Sequence, residues 1–353
     1  MRTRLHVFVV FAAFALHTLV ATGQVGLTEL GGAPGDGPIT VFYPSSSTAA
    51  PLRRGPFNPH LAKEGAVQRG NGRLIVISHG SGASPWVKTD LAQHLVRAGY
   101  VVALPEHAGD NWRDMGKVGP ESWKLRPQEV SRAIDALARD NRFGPLFDPA
   151  RVGMFGMSAG GHTALTLAGG RWSMARLLAH CEANLADDFV ACTGAATELT
   201  GGPLDNIKTA VALPLIRRAL ADEPASYGHT DARIKAVISA VPFAADFDMQ
   251  TLTSPTVPLG IVQAGQDRWL VPRFHSAAVI AQCKSCETVA NLPDAGHGAL
   301  LAPLPPDTEG RIGRLLADPP GFQRAELPKL YQRIEAFFST HLLPYNRPPW
   351  RHR

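Results

Sequence analysis

Hydrophobic positions along the chain follow two alternating patterns. Short, largely apolar runs at 39–43, 74–78, 100–104, 152–155, 234–241 and 257–262, and a last segment around 287–290, have the length of strands, and 74–78 is a continuous run of the kind buried on both faces of a parallel sheet. Between them, apolar residues recur at three- and four-residue spacing. Leu91, Leu95 and Val96 mark one amphipathic helix stopped by Gly99; Val130, Ile134 and Leu137 mark a second; Leu330, Ile334, Phe337 and Phe338 mark a closing one. Strands alternating with helices predict βαβ units, hence an α/β protein with a mostly parallel central sheet flanked by helices. Residues 24–37 are Gly-rich and polar and read as an irregular lead-in, and 45–71, rich in Pro, Ser and Gly, reads as loop. From 171 to about 231 the strand pattern disappears, and segments 174–185 and 207–221 read as helices. This stretch is expected to be a helical cap inserted into a single domain spanning 24–353.

One junction carries chemistry. The apolar run 152–155 passes directly into Gly156-Met157-Ser158-Ala159-Gly160, and then into the helix-like segment 163–168. Strand, sharp turn and helix form the context of a nucleophile elbow, in which small residues two positions either side of the nucleophile avoid a collision. Ser158 is then expected at the carboxyl end of its strand, with the free N–H groups of a helix start behind it.

Composition narrows the setting. Arg2 and Arg4 precede an apolar run over 5–20 and the small residues Ala21-Thr22-Gly23, so 1–23 reads as a cleaved export signal; the run is shorter than a spanning helix needs. The mature protein is expected to be exported, periplasmic or secreted, with no stable membrane anchor. The formal charge of +5 becomes +3 without the two signal arginines. No basic stripe with interleaved aromatics is present, which argues against nucleic acid as a partner. Four cysteines fit an oxidising compartment, where two structural disulfides, Cys181 with Cys192 and Cys283 with Cys286, are the simplest pairing. Metal binding is not expected, because a single C-x-x-C has no accompanying His cluster.

A nucleophilic serine needs a base, a group to orient the base, and donors for an oxyanion. The strand at 257–262 leads into Gly265-Gln266-Asp267, and the last strand leads into Gly296-His297, so Ser158, Asp267 and His297 follow predicted strands in the chain order Ser, acid, His. Asp246 and Asp248 are the alternative acids. Backbone N–H groups of Ala159 and of Ser81 or Gly82, after the strand at 74–78, are the candidate oxyanion donors. His107, Trp86 and Trp269 are candidate pocket residues. His79 and His162 read as bracing and packing residues, and Asp294 as a turn former.

His79-Gly80-Ser81-Gly82, Gly156-Met157-Ser158-Ala159-Gly160, Gly265-Gln266-Asp267 and Gly296-His297 together resemble the α/β-hydrolase superfamily. The chain more closely resembles its predicted dienelactone-hydrolase and platelet-activating-factor-acetylhydrolase-like esterases, a likeness over about residues 38–302 that the run Ala98-Gly99-Tyr100-Val101-Val102-Ala103-Leu104-Pro105-Glu106-His107 strengthens. True dienelactone hydrolases use a cysteine nucleophile where this chain has Ser158. The resemblance implies ester hydrolysis through an acyl-enzyme and without metal or organic cofactor; the substrate is expected to be a small-molecule carboxylic ester with a small or medium acyl group. A lipase, thioesterase or peptidase uses the same triad; a non-catalytic binding protein on this scaffold is the reading from another class.

Overall fold

A computed structural model of the chain describes residues 24–220, 225–306 and 309–344. The segment 1–23, read as an export signal, lies outside the described residues. The described strands are β1 (Gln24–Leu30), β2 (Ile39–Ser45), β3 (Ala50–Pro51), β4 (His60–Lys63), β5 (Leu74–Ser78), β6 (Val101–Pro105), β7 (Val152–Met157), β8 (Arg171–Ser173), β9 (Ser226–Tyr227), β10 (Ile234–Ala240), β11 (Phe247–Asp248), β12 (Leu259–Ala264) and β13 (Glu287–Leu292). Ten of them form one sheet in the order β13-β12-β10-β7-β5-β6-β2-β1-β4-β3. The six from β13 to β6 run parallel, and β2 pairs antiparallel with both β6 and β1.

β5, β6 and β7 are buried at every position, as their unbroken apolar runs require of central parallel strands. Alternate side chains go to opposite faces. Leu74, Val76, Val101, Ala103, Val152 and Met154 pack with Val130, Ile134 and Leu137 of α2 (Pro120–Arg139) and Leu165 of α3 (Ala159–Leu167). Ile75, Ile77, Val102, Leu104 and Phe155 pack on the other face, with Leu91, Leu95 and Val96 of the helix Thr89–Arg97 and Ile334, Phe337 and Phe338 of the helix Leu327–Leu342. The helical faces read from spacing are thus the ones that cover the sheet.

Three expectations need correction. The lead-in at 24–37 contains β1, whose Val25 and Leu27 are buried; its strand conformation comes from pairing with β2 along its whole length, a tertiary contact with little local signal. The loop 45–71 includes the short β3 and β4, and the insertion 171–231 is not wholly helical. Its β8 and β9 join β11 in a small antiparallel sheet, with strands too short to leave a periodic pattern. The described helices of the insertion are α4 (Met174–Asn184), α5 (Phe189–Cys192) and α6 (Asp205–Leu220), joined by turns and irregular segments. Among the described residues no helix is long and apolar enough to cross a membrane.

Candidate active site

The turn after β7 places Ser158 at φ 59°, ψ −120°, a left-handed backbone conformation that costs a non-glycine residue about 1–3 kcal/mol. The neighbours that make this turn possible are glycines for a steric reason. A Cβ on Gly156 would lie 1.8 Å from the Gly160 carbonyl oxygen, and one on Gly160 would lie 2.1 Å from that of Ser78. α3 begins at Ala159, immediately behind the hydroxyl.

Three side chains from the carboxyl ends of three parallel strands meet there. His297 Nε2 is 3.0 Å from Ser158 Oγ, and His297 Nδ1 is 2.7 Å from Asp267 Oδ2. The other Asp267 oxygen accepts hydrogen bonds from the backbone N–H groups of Trp269 (2.9 Å) and Leu270 (2.8 Å), which fixes the carboxylate plane. Asp267 and His297 are buried, whereas Ser158 is half-buried and faces a cavity of about 360 Å³. That volume falls within the range of small-molecule sites. The cavity is walled by Trp123, Phe243, Trp269 and Leu270 from the sheet side and by Leu177, Ala195 and Ile216 from the insertion. The Trp269 ring lies 5.1 Å from the His297 ring.

Comparisons with known proteins bear on the architecture. No family model matches the chain, and no curated protein matches it significantly. Among solved structures, a ferulic acid esterase from Streptomyces cinnamoneus superposes on it with a TM-score of 0.56 at 16% identity, over 94% of this chain and 96% of that one. The fold is that of an α/β-hydrolase.

Within that fold, the remaining candidates separate. Ser81 and Ala159 line the cavity beside Ser158. The Gly82 N–H does not serve the cavity, because it donates to Asp110 Oδ1 at 2.9 Å. His107 is no pocket residue either: it is fully buried, with Nε2 bonded to Ser78 Oγ at 2.7 Å and Nδ1 to Glu129. Trp86 lies away from the cavity against Phe42, with the Arg54 guanidinium over its ring. Asp246 is bonded to His162 Nε2 at 3.0 Å, a fully buried pair separate from His297. Asp248 caps a short 3₁₀ turn and pairs with Arg176, and Asp294 is exposed. His79 holds the carbonyl of Gly80 through Nδ1. The cysteines pair as Cys181–Cys192 and Cys283–Cys286.

Sequence reading missed Arg126 and Asp110. Arg126 donates to Asp110 Oδ2 at 2.8 Å and to the His79 carbonyl at 2.6 Å. Asp110 also accepts from the hydroxyls of Ser81 and Ser122. The loop 79–82 is thereby clamped from below. A signal existed: Arg126 stands three residues after Trp123 and four before Val130, so a charge occupies the apolar face of α2. Burial pulls the His79 and His107 imidazoles well below their ordinary value; for His79 the neighbouring His107 and Arg126 add to it, and for His107 Arg126 does. Both rings are neutral at physiological pH.

Proposed function

We propose that this chain is a serine hydrolase that cleaves carboxylic esters through an acyl-enzyme. The observation that carries the reading is the unbroken hydrogen-bonded relay from Ser158 through His297 to Asp267 at the mouth of an apolar cavity. Ser158 Oγ attacks the ester carbonyl carbon while its proton passes to His297 Nε2. The tetrahedral oxyanion is held by the N–H groups of Ala159 and Ser81, each such donor worth about 10²–10³ in rate. Collapse expels the alcohol, which takes the proton from His297, and leaves the acyl group on Ser158. Water, deprotonated by the same imidazole, then releases the acid and restores the serine. Asp267 keeps the proton on Nδ1 and stabilises the imidazolium.

Two further features support the reading. The fold neighbour is named as an esterase, and the run 98–107 strengthens this chain's likeness to the dienelactone-hydrolase and acetylhydrolase-like subgroup. Two disulfides fit an exported protein. The test is Ser158→Ala assayed on p-nitrophenyl acetate beside labelling of the native protein by a fluorophosphonate. Loss of turnover together with labelling confined to Ser158 is expected; retained turnover in the variant defeats the assignment.

A further inference from the structure

Eight large hydrophobic side chains are exposed among the described residues, and all but Trp112 border one of two adjoining depressions. Met115, Val118 and Ile312 stand at the rim of the Ser158 cavity. Leu204, Ile207, Val211 and Leu215, each more than half exposed, form a stripe along α6 at three- and four-residue spacing. A helix normally turns such a stripe to the core, and soluble proteins rarely leave one open to water. Here it forms one wall of a groove of about 560 Å³, whose other wall is the segment 192–197.

The groove adjoins the site. Cys192, Ile216 and Ala219 line both the groove and the cavity that holds Ser158, so the two spaces meet across these residues toward the carboxyl end of α6. From there to Leu204 the helix runs roughly 22 Å. The lining is apolar throughout except for Lys208 and the hydroxyls of Thr193 and Thr197. Lys208 turns its ammonium to Asp205 Oδ1 and the Glu198 carbonyl, both at 2.8 Å, which leaves its methylenes for the groove. Among the described lining residues Lys208 is the one charged side chain, and its ammonium is engaged by these two oxygens.

We propose that the groove along α6 binds the long, unbranched acyl chain of the ester, so that the substrate class is a fatty-acyl ester rather than one with a small or medium acyl group. This rests on the esterase reading above. The carboxyl carbon sits at Ser158, the first methylenes fill the cavity, and the remainder leaves past Ile216 and lies against Val211 and Leu215. Each methylene withdrawn from water contributes about fourfold to binding, so chain length becomes the main determinant of kcat/KM.

The experiment is kcat/KM for p-nitrophenyl acetate, hexanoate and dodecanoate, measured on the native protein and on Val211→Asp, Leu215→Asp and Leu215→Met. Native protein is expected to favour dodecanoate over acetate by at least 100-fold. Each aspartate should cut that ratio at least tenfold, and Leu215→Met should retain it. Acetate turnover with a flat or falling ratio, or a ratio unmoved by the aspartates, overturns the groove and leaves the esterase intact. No turnover of any ester and no fluorophosphonate label on Ser158 overturns the esterase reading itself. If the aspartates abolish a dimer seen by ultracentrifugation, or binding to phosphatidylcholine vesicles, while the ratio stands, the stripe belongs to a second copy or a lipid surface and the proposal fails.

Discussion

Arg126 and Asp110 are paired at 2.8 Å with neither side chain reaching solvent, directly beneath the loop that carries Ser81. Burial alone pushes the Asp110 carboxyl up. Arg126, the Ser122 hydroxyl and the Gly82 N–H outweigh it and hold the group below the ordinary carboxylate range. A buried pair adds little net stability, but removing one partner strands the other charge at a cost of about 3–5 kcal/mol. Together with the Ser122 hydroxyl, the pair ties α2 to the loop, because Asp110 also accepts from Ser81 Oγ and the Gly82 N–H while Arg126 donates to the His79 carbonyl.

Arg126→Met should therefore lower the melting temperature and also lower kcat by about 10²–10³, the size of a lost oxyanion donor. The linkage for Asp110 has a definite sign. Its folded pKa is depressed, so its contribution is present above the ordinary Asp value of about 3.9 and is lost as pH falls through the folded value. The gap in melting temperature between native protein and variant should be largest near pH 7 and shrink steadily as pH is taken below about 4.

Asp267 and Asp246 each bond a buried histidine, yet only the former reaches Ser158. Asp267→Asn should reduce kcat by roughly 10⁴ through loss of the productive tautomer, with little change in melting temperature. Asp246→Asn should do the reverse, loosening the His162 packing while leaving kcat within a few-fold. Steady-state kinetics and calorimetry on the two variants separate the roles.

Lys88 is buried between the elbow and the histidine loop, with Nζ 2.6 Å from both Met157 Sδ and the Leu300 carbonyl oxygen. Burial, reinforced by Arg324, lowers its pKa to about 7. A lysine whose folded pKa lies below its unfolded one imposes its full cost below pH 7, and that cost fades as pH rises toward about 10.4. Lys88→Met should thus stabilise the protein by roughly 2 kcal/mol at pH 6, after allowing for the unpaired Leu300 carbonyl. The gain should vanish by pH 10. Denaturant midpoints across that range give the answer.

The Cys181–Cys192 bond joins α4 to α5, and Cys192 lines the cavity. Its sequence separation of 11 implies roughly 3 kcal/mol from restricting the unfolded chain, more than the separation of 3 closed by Cys283–Cys286. Replacing Cys181 and Cys192 by serine should lower the melting temperature more than replacing Cys283 and Cys286. The first change alone should also raise KM for the ester, because it frees a cavity wall.

By itself the sequence determined the layers and the edge at which Ser158, Asp267 and His297 gather. Central strands such as Val152–Met157 are apolar without interruption, and a helix such as Pro120–Arg139 keeps its apolar residues in register, so local periodicity carries their identity. Ser158, Asp267 and His297 were legible because each follows a strand whose carboxyl end the parallel topology sends to the same side. Tertiary structure alone decided what depends on contacts distant in the chain. The strand Gln24–Leu30 forms through its partner, His107 turns inward to Ser78, and the Gly82 N–H goes to Asp110. The apolar stripe of Asp205–Leu220 has the same spacing as any core-facing helix, and only packing shows that it lies open along a groove adjoining the cavity of Ser158. Periodicity states which residues share a face; what that face meets is set by the rest of the fold.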